Sequence, residues 1–126
     1  GELRRVRCTS CGEERLWLRD LEPTTSCPAC GAGGSLRPAI VWFGEMPLHM
    51  ERITAALQSC ALFLAIGTSG LVYPAAGFVA LVRDHGRAHT TELNLAPSAV
   101  RSAFAEARHG PAGTTVPALV DELLAL

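Results

Sequence analysis

Cys8-Thr-Ser-Cys11 and Cys27-Pro-Ala-Cys30 are two C-x2-C pairs separated by 15 residues, and together they hold four of the five cysteines of the chain. Two such knuckles bring four thiolates to one tetrahedral point, the arrangement that suits zinc. Four cysteine ligands leave no coordination position for a substrate or water, so the ion would be structural, with no part in chemistry. Two disulfides are the competing reading, and they would need an oxidising compartment. Each pair is followed at once by Gly12 or Gly31, and glycine permits the positive φ that a tight knuckle turn requires. Cys60 falls on an apolar helical stripe, where a free cysteine packs as a small hydrophobe.

Gly67-Thr68-Ser69-Gly70 follows the apolar run Leu62 to Ile66 directly. A loop at that position in an α/β sheet is where ligands bind, with glycines admitting phosphate or ribose to the backbone and hydroxyls supplying hydrogen bonds. An ordinary strand-to-helix turn would read the same way. Asn94 ends the next run, Thr90 to Leu95, and so occupies the equivalent edge one unit later. Trp42-Phe43-Gly44-Glu45 ends another run with aromatic rings, a glycine and a carboxylate, which reads equally as a core aromatic with a solvated acid. His49, His85, His89 and His109 have neither cysteine nor acid at metal-binding spacing, and no Ser/His/Asp set can be assembled.

These groups need a scaffold, and the composition supports one. The chain has 126 residues, 48% of them hydrophobic and 18% charged, with a formal charge of -1. That is enough apolar matter for a packed domain and argues against a disordered tail. All eleven basic residues are arginines, yet the near-neutral balance argues against broad binding to nucleic acid or anionic membrane. The apolar run Ala61 to Ile66 falls far short of the roughly 20 residues of a membrane span. Gly1-Glu2-Leu3-Arg4-Arg5 carries no apolar signal core or cleavage site, which points to the cytoplasm.

Composition changes near Pro38, dividing the chain into a zinc-ribbon module over 1–37 and an α/β part over 38–126. In the ribbon, Leu16-Trp17-Leu18 reads as a short strand and Pro23 to Ser26 as a turn. Beyond it, the runs Ala39 to Phe43, Leu62 to Ile66 and Thr90 to Leu95 read as buried parallel strands. Met50, Ile53, Ala56, Leu57 and Cys60 recur at helical spacing between the first two. A second helix spans Ala75 to His85 and stops at Gly86, a third begins near Ser98, and the last runs from Val116 to Leu126 with Thr115 as cap and Pro117 in its first turn. Alternating strands and helices predict an open parallel sheet. The fold class is α/β: half of such a sheet with a small zinc ribbon of four cysteines.

Taken as a set, the cysteine ribbon, Ile40-Val41-Trp42-Phe43-Gly44-Glu45, Ala65-Ile66-Gly67-Thr68-Ser69-Gly70, Val72-Tyr73-Pro74-Ala75-Ala76-Gly77-Phe78, Glu92-Leu93-Asn94-Leu95 and Gly110-Pro111-Ala112 strongly resemble the sirtuins, the NAD-dependent protein deacylases. The motifs run through nearly the whole chain in the family's order. The form G-T-S-G-x-V-Y-P-A-A-G-F is similar to the bacterial and mitochondrial class that also removes succinyl groups.

The resemblance implies roles that spacing does not supply. It places NAD against Gly67, Thr68, Ser69, Asn94, Leu95, Ala96 and Ala112, and it makes the quartet Cys8, Cys11, Cys27 and Cys30 the family's structural zinc site. Val41, Phe43, Gly44, Glu45 and Val72 would line a groove in which an acyl-lysine protein substrate lies extended and pairs with backbone, a strand-addition mode. Ala96 departs from the glutamate common there in close relatives. The family's catalytic histidine stands immediately before a glycine that matches Gly1, so no catalytic residue is assigned within this chain. The glycine-rich pyrophosphate turn likewise belongs to an N-terminal half that would be this chain's partner. The fold implied is the second half of a Rossmann-like sheet with the zinc ribbon, and the activity implied is the C-terminal part of a deacylase, inactive in isolation. The alternative is a non-catalytic zinc-ribbon and nucleotide-binding module acting through partners.

Overall fold

The computed structural model describes residues 1–125. They form two compact units, Gly1–His49 and Met50–Leu126.

The first unit is built on an antiparallel sheet of β1 (Glu2–Cys8), β2 (Glu14–Leu16) and β3 (Leu36–Ala39), in the order β2-β1-β3. Arg5 pairs with Leu16 and Arg7 with both Glu14 and Arg37. The register shifts between Glu2 and Val6 along the β1–β3 pair. Val6, Cys8 and Cys27 are the buried hydrophobic residues of this unit. A sheet with so small a core needs another source of cohesion.

The second unit contains a parallel sheet of β4 (Leu62–Ile66), β5 (His89–Asn94) and β6 (Glu106–His109), in that order. Phe63 pairs with Thr90, and Asn94 with His109. Thr90, Thr91, Glu92 and Leu93 are all buried. Because successive side chains point to opposite faces, both faces of β5 are covered. The helices are α1 (Met50–Ser59), α2 (Phe78–Asp84) and α3 (Ala112–Leu124). Val79 and Val82 of α2 and Leu119 of α3 are buried, and both helices contact β5. Arg108 binds Glu106 at 2.7 Å and forks onto Glu122 at 2.7 and 2.8 Å, fastening α3 to β6. None of the described helices is long and apolar enough to cross a membrane.

Three sequence expectations need correction. The run Ala39 to Phe43 is not a parallel strand. Its first residue ends β3, which pairs antiparallel with β1, and the remainder is a loop and turn. The structural division therefore falls after His49, with residues 38–49 in the first unit. The helix expected from Ser98 is only a 3-10 turn, Arg101–Ala103, followed by β6. Glu-Ala-Arg-His lacks the apolar run of a strand buried on both faces, because β6 lies at the sheet edge. The last helix starts at Ala112 with Pro111 as its N-cap, so Thr115 lies inside its first turn.

Candidate functional site

The knuckles of the first unit are built alike. Gly12 N–H donates to Cys8 O at 3.0 Å and Gly31 N–H to Cys27 O at 2.7 Å. Cys8 N–H then donates to Glu13 O and Cys27 N–H to Ala32 O, each at 2.9 Å. Gly12 and Gly31 have φ of +76° and +74°, values that L side chains disfavour. Each knuckle presents one buried cysteine, Cys8 or Cys27, and one exposed cysteine, Cys11 or Cys30.

All four Sγ atoms lie within 4.8 Å of one another. Cys8 and Cys30 are 3.7 Å apart, and Cys11 and Cys27 3.9 Å. A tetrahedron with Zn–S bonds of about 2.3 Å has edges of about 3.8 Å, whereas a disulfide needs about 2.05 Å. The quartet fits zinc, and all five cysteines are free of disulfides. Ser35 Oγ lies 3.2 Å from Cys8 Sγ and, with backbone contacts in the knuckle, holds the Cys8 thiol down to about 6. A backbone contact at Glu13 favours the Cys11 thiolate, but Cys8, burial and the other two sulfurs outweigh it and push Cys11 up to about 12. Four sulfurs this close share one field, and a divalent cation at their centre is what lets all of them ionise. Ser35 is not recognisable from sequence, since a serine five residues beyond a knuckle has no distinguishing pattern.

In the second unit, the loops after the three parallel strands are tied to one another. Gly67 N–H donates to Leu93 O at 3.0 Å, and Gly110 N–H to Asn94 O at 2.9 Å. Asn94 Nδ2 donates to Thr68 O at 2.5 Å, and Ala99 N–H to Ser69 O at 3.0 Å. Thr68 Oγ1 accepts Gly70 N–H, and Ser69 Oγ accepts Leu71 N–H. Gly70 has φ of +69°, and a Cβ there would stand 2.6 Å from Val100 Cγ2.

A cavity of about 390 Å³ opens at these strand ends, lined by Gly67, Asn94, Leu95 and Ala112 among others. Four of the seven residues that the resemblance assigns to NAD therefore meet at one place. Thr68 and Ser69 face a second cavity of about 520 Å³, lined mainly by apolar groups including Phe63, Val79 and Phe104. Val72, assigned to substrate, lines that cavity too. Ala96 is exposed and lines neither. Gly67 has φ of +64°, and a Cβ added there would meet no atom within 4 Å, so its backbone is open to a ligand. The carboxyl ends of parallel strands are where open α/β sheets bind ligands.

Glu92 supports the arrangement from below. Its side chain is buried, Oε1 accepts Ser98 N–H at 3.1 Å, and Oε2 has no hydrogen-bond partner. His109 Nε2 stands 4.0 Å from that oxygen. The sequence shows Glu92 as a polar residue inside an apolar strand, and that inconsistency is the signal for it.

The other substrate-assigned residues lie in the first unit. Val41 and Glu45 line a pocket of about 520 Å³. Phe43 is 94% exposed, and Gly44 has φ of +86°. Glu45 N–H donates to Trp42 O at 3.1 Å, closing a turn that needs positive φ at Gly44. The Glu45 carboxylate takes a forked contact from Arg37 and accepts Trp42 N–H at 2.9 Å. Arg37 and then the Trp42 N–H hold its carboxyl down to about 2.

A comparison with protein-family profiles matches the Sir2 family over residues 1–74. The chain belongs to the Sir2 family. Two similar proteins, each named NAD-dependent protein deacylase, come from Escherichia coli and Vibrio cholerae. The first is 52% identical over 124 residues, 98% of this chain and 44% of the relative. The second is 53% identical over 125 residues, 99% of this chain and 50% of the relative. The chain thus spans about half the length of the curated relatives it matches. A crystal structure of a Sir2 homologue–NAD complex superposes with TM-score 0.85 at 31% identity, covering 99% of this chain and 49% of the other. A Sir2 protein bound to a myristoylated histone peptide gives 0.75 at 26% identity, with 97% and 54% covered. Sir2 membership accounts for the four-cysteine ribbon and the parallel sheet occurring in one chain.

Proposed function

We propose that this chain carries the structural zinc ribbon, the ribose-binding strand ends and the peptide-binding loop of an NAD-dependent protein-lysine deacylase. The observation that carries the reading is the meeting of Gly67, Asn94, Leu95 and Ala112 at one cavity on the carboxyl ends of parallel strands, where open α/β sheets bind nucleotides. NAD bound there would offer an anomeric carbon at which an acyl-lysine oxygen displaces nicotinamide, and addition of one water then releases free lysine and acyl-ADP-ribose.

The chain's own residues bind and orient. Gly67 leaves room for the ribose to approach backbone. Asn94 offers a side-chain amide already fixed by Thr68 O, so little rotamer freedom is lost on binding. Zinc, held by Cys8, Cys11, Cys27 and Cys30, keeps the ribbon folded and touches no reacting atom. General-base chemistry comes from a histidine on the segment by which the relatives exceed this chain, in line with the resemblance. The partners are acyl-lysine proteins and that segment.

The test joins this chain to the N-terminal half of the Escherichia coli relative and incubates the product with NAD and acetyl- or succinyl-lysine peptides. Nicotinamide release should require the joined protein, NAD and an acyl-lysine together. Release by the 126 residues alone, or none from a folded joined protein, refutes the reading.

A further inference from the structure

We propose that Arg37 is a positioning residue for the acyl-lysine peptide. It holds the loop 40–45 so that one backbone edge is consumed internally and the other stays open to an extended peptide. The inference rests on the proposed deacylase reading and assigns a role that the family resemblance does not give to any residue named above.

Arg37 lies in β3, and both terminal nitrogens of its guanidinium are engaged. Nη2 donates to Glu45 Oε2 at 3.0 Å and to Ile40 O at 3.1 Å, while Nη1 contacts Glu45 Oε1. The central carbon of the group sits 3.8 Å from the centroid of the Trp42 ring. A planar fork that binds a carboxylate with two nitrogens while stacking on an indole is something arginine does and lysine does not.

The effect on the loop alternates along the backbone. Ile40 O is taken by Arg37, Trp42 N–H by Glu45, and Trp42 O by Glu45 N–H. Among the described residues, Val41 and Phe43 have no hydrogen-bond partner for N–H or C=O. The clamp therefore occupies backbone groups of Ile40 and Trp42 and leaves those of Val41 free to pair with an added strand, with the bare Phe43 ring at the turn.

Glu45 changes role accordingly. Both its oxygens are used within the loop, so it acts on a peptide through the loop's shape, without direct contact. The unpaired edge selects an extended main chain, and side-chain chemistry enters only at Val41 and Phe43.

The experiment uses the 126-residue chain, zinc-loaded, as wild type, Arg37→Lys and Glu45→Gln. Amide exchange and two-dimensional NMR are recorded while an acetyl-lysine peptide is added. In wild type the peptide should shift the Val41 and Phe43 amides. In Arg37→Lys the Trp42 amide should exchange about tenfold faster, reflecting loss of the fork that orients Glu45, and the peptide shifts should fall away. Glu45→Gln, which keeps an acceptor for Trp42 N–H, should fall between, and it serves alone if Arg37→Lys does not fold. In the joined deacylase, Arg37→Lys should raise peptide KM about tenfold with kcat and the KM for NAD little changed, the pattern of lost uniform binding. Peptide shifts absent from Val41 and Phe43 in wild type, or undiminished in both folded variants, overturn the proposal. An inactive joined protein would instead sink the deacylase reading while the chain's own spectra still decide the clamp.

Discussion

Removing the metal should unfold residues 1–49 while leaving the parallel sheet protected. The buried hydrophobic residues of the first unit are Val6, Cys8 and Cys27, and two of these are ligands. A fully buried valine contributes about 1.5–3 kcal/mol, whereas structural zinc contributes about 10–16 kcal/mol at neutral pH in zinc-finger peptides. The second figure matches or exceeds the net stability of about 5–15 kcal/mol of a whole domain, so without the ion the ribbon has nothing comparable to hold it. Val79, Val82, Leu93, Phe104 and Leu119 give the second unit its own core. The assay is metal analysis followed by hydrogen exchange before and after treatment with a strong chelator. One zinc per chain is expected, with protection lost in β1, β2 and β3 and retained in β4 and β5. Cys27→Ser should weaken zinc more than Cys11→Ser, because Cys27 is buried and Cys11 exposed, so water can fill only the second vacancy. Retained protection of β1 in metal-free, reduced protein would refute the reasoning.

Gly70→Ala should destabilise the second unit by about 2–5 kcal/mol in urea titrations, combining left-handed strain with overpacking against Val100; a change under about 0.5 kcal/mol would contradict the close approach. Glu92→Ala leaves Ser98 N–H without its acceptor and should cost about 1–3 kcal/mol, with Ser98 and Ala99 amides exchanging faster and β4 unaffected. Asn94→Ala in the joined enzyme should weaken NAD with little effect on peptide KM; unchanged NAD binding would remove Asn94 from the site. The Glu45 carboxyl falls from its ordinary 4.5 to about 2 on folding, so its contribution is present above pH 4.5 and disappears as pH falls toward 2. Acid unfolding of wild type and Glu45→Gln checks this, and the variant should show a shallower loss across that range.

The cysteine quartet is legible because metal geometry demands a spacing that little else produces, and the sheet because Leu62 to Ile66 is an apolar run and Thr90 to Leu95 opens on two β-branched residues and keeps Leu93 and Leu95 apolar. Boundaries fail where tertiary context decides. Leu36-Arg37-Pro38-Ala39 has no strand pattern, yet it pairs with β1, because the ribbon brings it there. Ala39 to Phe43 has the right composition and no free strand beside it. Glu106 to His109 reads as polar surface, but parallel pairing with β5 recruits it. The strand-end positions of Gly67 and Asn94 follow from alternation alone, and Glu92 stands out as an acid inside a strand, whereas Arg37 and Ser35 act through contacts that no local pattern carries.

Glu45 and Glu92 share a logic. Each stands in a motif that invites a chemical role, and each instead spends an oxygen on a backbone N–H of the loop beside it, Trp42 for the first and Ser98 for the second. A carboxyl oxygen holding an N–H is a tether that costs the loop its freedom. At the first loop the Val41 backbone stays open while the groups around it are tied; at the second, Ala99 N–H beside the tethered Ser98 holds Ser69 O, so the loop after β4 is fixed as well. Binding an extended peptide or a ribose then orders little that is not ordered already. Both acids act here as loop tethers, so replacing either one should change binding before it changes the chemical step. A variant of Glu45 or Glu92 in the joined enzyme that lowered kcat with both KM values intact would break this reasoning at its root.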